Sequence, residues 1–136
     1  MYEIFEHTAD LGIRVFAEDL NGLFSEAGEA LFSVIVENVS EVHNKQERTI
    51  EVAGSDTEYL FFDWLSELLY LFEIGHLLCS EFDVTVSETG LKAKVRGEPV
   101  DLQRHLLSHE VKAVTYHRLR VEQTARGWEA EVILDI

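Results

Sequence analysis

A single cysteine and a single proline stand in a chain of 136 residues, and basic residues are scarce. Cys79 alone cannot form an intramolecular disulfide, and no CxxC pair is present to build a zinc site. It lies in the apolar stretch GHLLCSEF and reads as a buried structural thiol rather than a nucleophile. Lys plus Arg total 11 against 26 Asp plus Glu, a formal net charge of −15. Such a surface gives a polyanion no general attraction, because phosphate binding needs neutralising Lys and Arg. Direct binding of RNA or DNA is therefore not expected. Docking on a basic protein surface, or recruiting a cation, fits the sign better. No long apolar run exists either, since Asp63, Ser66 and Glu67 cut the longest one, so no membrane span is expected. The opening MYEIFEHTAD lacks the basic and apolar regions of a signal peptide, which makes the cytoplasm the expected compartment. GxGxxG, P-loop, GxSxG and HExxH patterns are all missing. No self-contained catalytic apparatus is legible, and the chain reads as a non-enzyme.

What is present suits one globular domain spanning residues 1–136. Hydrophobic residues make up 46% and charged residues 27%, close to the globular average. A chain near the usual ~150 residues per domain buries roughly two-thirds of its unfolded surface. Residues 2–6 and 11–18 read as short strands, with Leu11, Ile13, Val15 and Ala17 on one face of the second. Residues 20–37 read as a helix capped by Asp19, with Leu20, Leu23, Phe24, Ala27, Ala30, Leu31 and Val34 on its apolar face. Residues 38–46 read as a polar loop and 47–53 as a strand. A second helix starts at Ser55 or Asp56, where Ser55 and Glu58 have capping-box spacing, and runs to about Ile74. Residues 82–87 and 91–96 form a hairpin around Glu88-Thr89-Gly90. Residues 100–109 are ambiguous and can be taken as a helical turn. Residues 111–122 read as one long strand, followed by a turn at 125–127 and a strand over 128–134. The expectation is an α+β single domain, with a largely antiparallel or mixed β-sheet of about seven strands packed with two α-helices.

Three features carry chemistry. His7-Thr8-Ala9-Asp10 lies at a strand-to-strand turn, where Thr8 and Asp10 side chains would ordinarily satisfy their own backbone. The stretch Leu134-Asp135-Ile136 sets the Asp135 carboxylate beside the α-carboxylate of Ile136, at the end of a strand packed through Val132, Ile133 and Leu134. If Asp10 meets that end, three carboxylates converge and need a cation. Hard oxygen donors without thiol or paired imidazole favour Ca²⁺ or Mg²⁺. In EVKAVTYH, Lys112 reads as a snorkelling surface residue, a counter-charge to those carboxylates, or an anchor for an acidic partner. His105 and His109 have helical i, i+4 spacing, yet solvated or capping roles fit them better without a third ligand.

The ordered set HTAD, LFSEAGEALF, FFDWLSELLYLFE, GEPVD, EVKAVTYH and the terminal WEAEVILDI resembles the archease family over almost the whole chain. The resemblance implies a small cytoplasmic accessory protein of the tRNA-splicing RNA ligase, the enzyme joining 2′,3′-cyclic phosphate or 3′-phosphate ends to 5′-hydroxyl ends. It implies stimulation of turnover by promoting guanylylation of the ligase histidine, with broadened nucleotide choice. It further implies a metal site, usually calcium, formed by Asp10, Asp135 and Ile136, with Lys112 and His7 as positions for partner activation. The alternative the family offers is a chaperone-like modulator of RNA-modifying enzymes, such as a tRNA cytosine methyltransferase.

Overall fold

The computed structural model describes residues 1–136. Its elements are β1 (Tyr2–His7), β2 (Asp10–Ala17), α1 (Leu20–Ile35), β3 (Gln46–Ala53), α2 (Thr57–Glu73), β4 (Leu77–Ser87), β5 (Gly90–Pro99), β6 (Ala113–Val114), β7 (Arg120–Thr124) and β8 (Gly127–Asp135). They form an α+β domain with two sheets, and every strand pairing is antiparallel. The larger sheet runs β1-β2-β8-β6 with β7 also on β8; the smaller runs β3-β5-β4. Each helix touches strands of both sheets, so the helices fill the space between them.

Period-two alternation builds the inner faces. Leu11, Ile13 and Val15 of β2 are buried with Ala130, Val132 and Leu134 of β8. The helices close over them with wider apolar stripes than the sequence suggests, because Phe32 and Ile35 of α1 are buried too. Trp64 of α2 is fully buried and donates its Nε1–H to the Phe24 carbonyl at 2.8 Å. Without that acceptor, the indole N–H would be stranded in the core. Gly28 permits close packing, since a Cβ there would fall 2.8 Å from the Phe82 ring.

Asp19 caps α1 by accepting the Gly22 N–H at 2.7 Å. The second helix corrects the expected capping box. Asp56 is its N-cap, accepting from Glu58 and Tyr59 N–H, while Glu58 instead accepts the Val121 N–H at 3.1 Å. Two strands also differ from expectation. β4 begins at Leu77, five residues early, because Leu77, Leu78 and Cys79 are all buried and hide the alternation. The long strand over 111–122 is broken. Thr115 accepts the His117 N–H at 3.3 Å, the Leu119 N–H reaches the Tyr116 carbonyl, and Arg118 takes φ 58° before β7 starts.

Residues 100–109 hold a single helical turn, in which the Arg104 and His105 N–H groups donate to the Asp101 carbonyl at 3.0 and 2.7 Å, and no longer helix. They close the end of α1, with the Ser108 N–H donating to the Ile35 carbonyl and the His109 N–H to the Val34 carbonyl. Those carbonyls belong to the last turn and have no partner inside the helix. The segment is anchored on Glu98, whose side chain is 3% exposed. Arg104 grips that carboxylate with both terminal nitrogens, at 2.8 and 2.9 Å. The His43 backbone N–H donates to it at 2.6 Å, and His105 Nε2 lies 3.2 Å away. These donors, the Arg104 bond first, hold the Glu98 carboxyl well below the usual carboxylate range despite its burial. Three leucines of the anchored segment, Leu102, Leu106 and Leu107, face solvent.

Candidate functional site

The β1–β2 hairpin closes through two residues, Thr8 at φ 30° and Ala9 at φ 69°. Positive φ at both central positions is the geometry that matches the twist of paired strands. Neither residue is glycine, and a β-branched Thr in this region costs on the order of 1–3 kcal/mol. The expected compensation is absent, since neither the Thr8 nor the Asp10 side chain caps this turn. The turn is held by strand pairing instead, with His7 opposite Asp10.

β2 pairs with β8 so that Leu11 lies opposite Leu134. Carried one step beyond that last pair, the same register would set Asp10 level with Asp135. β6 adds a third strand, with Ala113 opposite Asp135 and the Lys112 N–H donating to the Asp135 carbonyl at 2.7 Å. His7 lies opposite Asp10 on one side and Ala113 opposite Asp135 on the other, so on that extension the four would make one row across four strands. Residues level with each other share a sheet face, here the face opposite the Leu11 and Leu134 core. The strand that leaves the first bend pairs with the last strand through Leu11 and Leu134. Level neighbours have Cβ atoms roughly 4.5–5.5 Å apart.

Around this row, Asp10 is half-buried, Asp135 is exposed and Ile136 packs partly against the core. No cationic group lies within ion-pair distance of Asp10 or Asp135; Lys112 forms no ion pair and its side chain is exposed. Three His, Cys, Asp or Glu side chains do not gather anywhere into a group that could hold a metal ion. Asp10 and Asp135 by themselves do not make up such a group. His7 borders the row with an unsatisfied atom. Its Nδ1 is buried without a hydrogen-bond partner, and its ring lies 5.3 Å from that of His117. A buried polar atom left unpaired costs about 1–3 kcal/mol, so this edge holds strain and unmet polar capacity together. Were a cation held by these aspartates, their oxygens would favour a hard ion such as Ca²⁺ or Mg²⁺.

Two rows along the same face, a second charged group surrounds buried Glu131. Arg14 donates to it through Nε and Nη2 at 3.2 and 2.8 Å, and Arg118 and Arg120 approach at 3.4 and 3.9 Å. The Glu131 bond above all raises the affinity of Arg14 for its proton. Between the two groups, the Phe5 ring lies over Gly12, with the Arg14 guanidinium 4.7 Å from its centroid.

The histidine pair of the sequence separates. His105 is buried, turning Nε2 to Glu98 and accepting the Asp101 N–H on Nδ1 at 2.9 Å, whereas His109 is exposed. His105 thus caps the Asp101 N–H while its other ring nitrogen faces the buried Glu98, and His109 is the solvated one of the pair. Sequence reading missed the Glu98 and Glu131 clusters and the His7–His117 contact. Long-range pairing creates all three, and only the residue identities within GEPVD and EVKAVTYH hinted at two of them.

No helix is long and apolar enough to cross a membrane. The chain matches the Archease protein family (MTH1598/TM1083) over residues 2–136. It is 41% identical to a protein archease of Pyrococcus abyssi, covering 99% of this chain and 98% of that one. Against a protein archease of Methanosarcina mazei the identity is 39%, covering 99% and 95%. The solution structure of Methanobacterium thermoautotrophicum protein 1598 superposes with a TM-score of 0.88 at 33% identity, covering 99% and 98%. The crystal structure of a Thermotoga maritima archease, described as a "possible chaperone", matches with a TM-score of 0.68 at 22% identity over 100% and 98%. With the family matched end to end and the two-sheet, two-helix architecture shared, the chain belongs to the archease family.

Proposed function

We propose that this protein is a cytoplasmic accessory activator of the tRNA-splicing RNA ligase, not itself an enzyme, and that it works through a divalent cation, Ca²⁺ first, held by Asp10, Asp135 and the Ile136 carboxylate. The observation that carries the reading is the β2–β8 register, with Leu11 opposite Leu134, which supports two uncompensated carboxylates side by side on an open face. A divalent ion bound there would supply charge stabilisation for a phosphoryl group in transfer, as during ligase guanylylation. The chain's own residues do the rest. The strained Thr8–Ala9 turn projects the corner, His7 flanks it, and Lys112, just before β6, presents a free ammonium to the partner. The net charge of −15 suits a partner whose own RNA-binding surface is basic.

A single-turnover guanylylation assay of the ligase tests this. Wild-type protein accelerates histidine guanylylation, and Asp10→Ala, folded by circular dichroism, does not. Full stimulation by folded Asp10→Ala refutes the metal-dependent role. A second reading, a chaperone-like modulator of RNA-modifying enzymes, is favoured by the rigidly anchored and exposed Leu102, Leu106 and Leu107. On that reading Asp10→Ala keeps its effect, while Leu106→Ser with Leu107→Ser loses it.

A further inference from the structure

A groove of ≈ 410 Å³ opens between the start of α2 and the turn that follows β6. It is lined by four residues, Glu58, Tyr59, Tyr116 and Leu119. Tyr116 stacks on Phe62 with centroids 3.9 Å apart and planes 13° from parallel. Tyr59 meets the same ring at 5.7 Å and 76°. Phe62 is half-buried, but Tyr59 and Tyr116 are 58% and 57% exposed. Two tyrosine rings set nearly at right angles, one backed by a third ring, make an open corner of π surface. Aromatic residues in this number normally go to the core or to an interface.

Charge selects the occupant. Glu58 enters the groove with its carboxylate fixed by the Val121 N–H at 3.1 Å. Asp56 caps the adjacent helix N–H groups, which offsets the positive end of the helix that would otherwise repel a cation. Asp63, one turn beyond Tyr59 on α2, is exposed. Ring faces attract cations, best when a carboxylate lies near to share the charge. We infer that Glu58, Tyr59 and Tyr116 form a docking site for a cationic side chain, an arginine guanidinium in preference to a lysine ammonium, presented by a partner protein. Arginine is favoured because its flat guanidinium can stack on one ring while donating to Glu58.

The site does not depend on the metal reading, because its test contains neither ligase nor metal. The probe is a glycine-flanked peptide with two arginines, titrated against the full chain by NMR of the tyrosine ring resonances. Its control is the same peptide with citrulline, which keeps the shape and loses the charge. The arginine peptide shifts the Tyr59 and Tyr116 resonances, and the citrulline peptide binds at least severalfold more weakly. Tyr116→Phe retains binding, whereas Tyr116→Leu weakens it about two- to fivefold, the range expected for one exposed ring–cation contact. Glu58→Gln, which keeps an acceptor for Val121, also weakens it. Equal binding of the citrulline peptide, equal loss in Tyr116→Phe and Tyr116→Leu, or shifts confined to other residues overturns the assignment.

Discussion

Replacing Glu98 by Gln removes one negative charge from a site that is 3% exposed, with little change in volume. The wild-type carboxylate receives two bonds from Arg104, one from the His43 backbone N–H and one from His105. A glutamine keeps one acceptor oxygen and turns an NH₂ towards at least one of those donors. Breaking a buried ion pair by removing one partner costs about 3–5 kcal/mol. The Arg104 side chain is 36% exposed, so water takes over part of its role and the figure must be discounted. The expected loss is about 2–3 kcal/mol at pH 7, read as a shift in the urea midpoint at constant slope. The pH dependence has a definite sign. Because the folded Glu98 carboxyl is held below its unfolded value, its stabilisation is fully present above about pH 4.3, the unfolded value. It is lost as pH falls from there through the folded value, by about 1.4 kcal/mol per pH unit. The gap between wild type and Glu98→Gln therefore narrows below pH 4.3. Amide exchange supplies the local readout: the Ser108 and His109 N–H groups that close α1 lose protection in the variant. A gap below 0.5 kcal/mol (about the scatter of surface substitutions), or one that stays constant between pH 7 and pH 3, refutes the assignment of Glu98 as the anchor of this segment.

Other perturbations read other parts of the fold. Burial pushes the Cys79 thiol up to about 12, so a disulfide reagent at pH 8 labels the native protein only as fast as it unfolds; rapid labelling without denaturant contradicts the burial. Gly12→Ala places a Cβ 2.1 Å from the Phe5 ring, which must swing outward and release Arg14, at a cost of about 1–3 kcal/mol in thermal unfolding; an unchanged midpoint argues against that packing. Gly97→Ala is more severe, since its Cβ would meet the Leu78 carbonyl oxygen, a backbone atom beside the β4 bulge; soluble expression at wild-type stability is the refuting result. Residues appended after Ile136 are expected to abolish Ca²⁺ binding in calorimetry while leaving the fold intact, and unchanged binding removes the Ile136 carboxylate from the proposed donor set.

The elements were legible where one physical pattern acts alone. Asp19 and the Leu23, Phe24, Ala27, Leu31 face name α1, and Val84, Leu91, Ala93 and Val95 mark the hairpin of the smaller sheet. Reading failed where two effects overlap. Leu77, Leu78 and Cys79 are buried in succession, so the start of β4 carries no alternation. The stretch 111–122 keeps its alternating letters, yet a Thr115 hydroxyl and a left-handed Arg118 turn the backbone out of the strand. The choice of Asp56 over Ser55 as helix cap was a competition between adjacent good caps that only the backbone path decides.

The candidate site was legible in its residues and not in its geometry. Nothing local says that a hairpin at residues 7–10 lies beside residue 135, because that pairing joins segments 117 positions apart, as Arg14 and Glu131 show. What sets it is the core. Leu11, Ile13 and Val15 are buried opposite Leu134, Val132 and Ala130, and no odd slip of the register keeps them so. A slip of one residue would turn every one of these side chains to solvent and would drive Asp10 and Arg14 inward, unpaired. How near Asp10 comes to Asp135 is therefore set by apolar packing several residues away. Substitutions at Ile13 or Val132 that loosen the β2–β8 register should separate the two aspartates as surely as replacing either one, which makes the spacing of the corner a property of the hydrophobic core rather than of the turn that displays it.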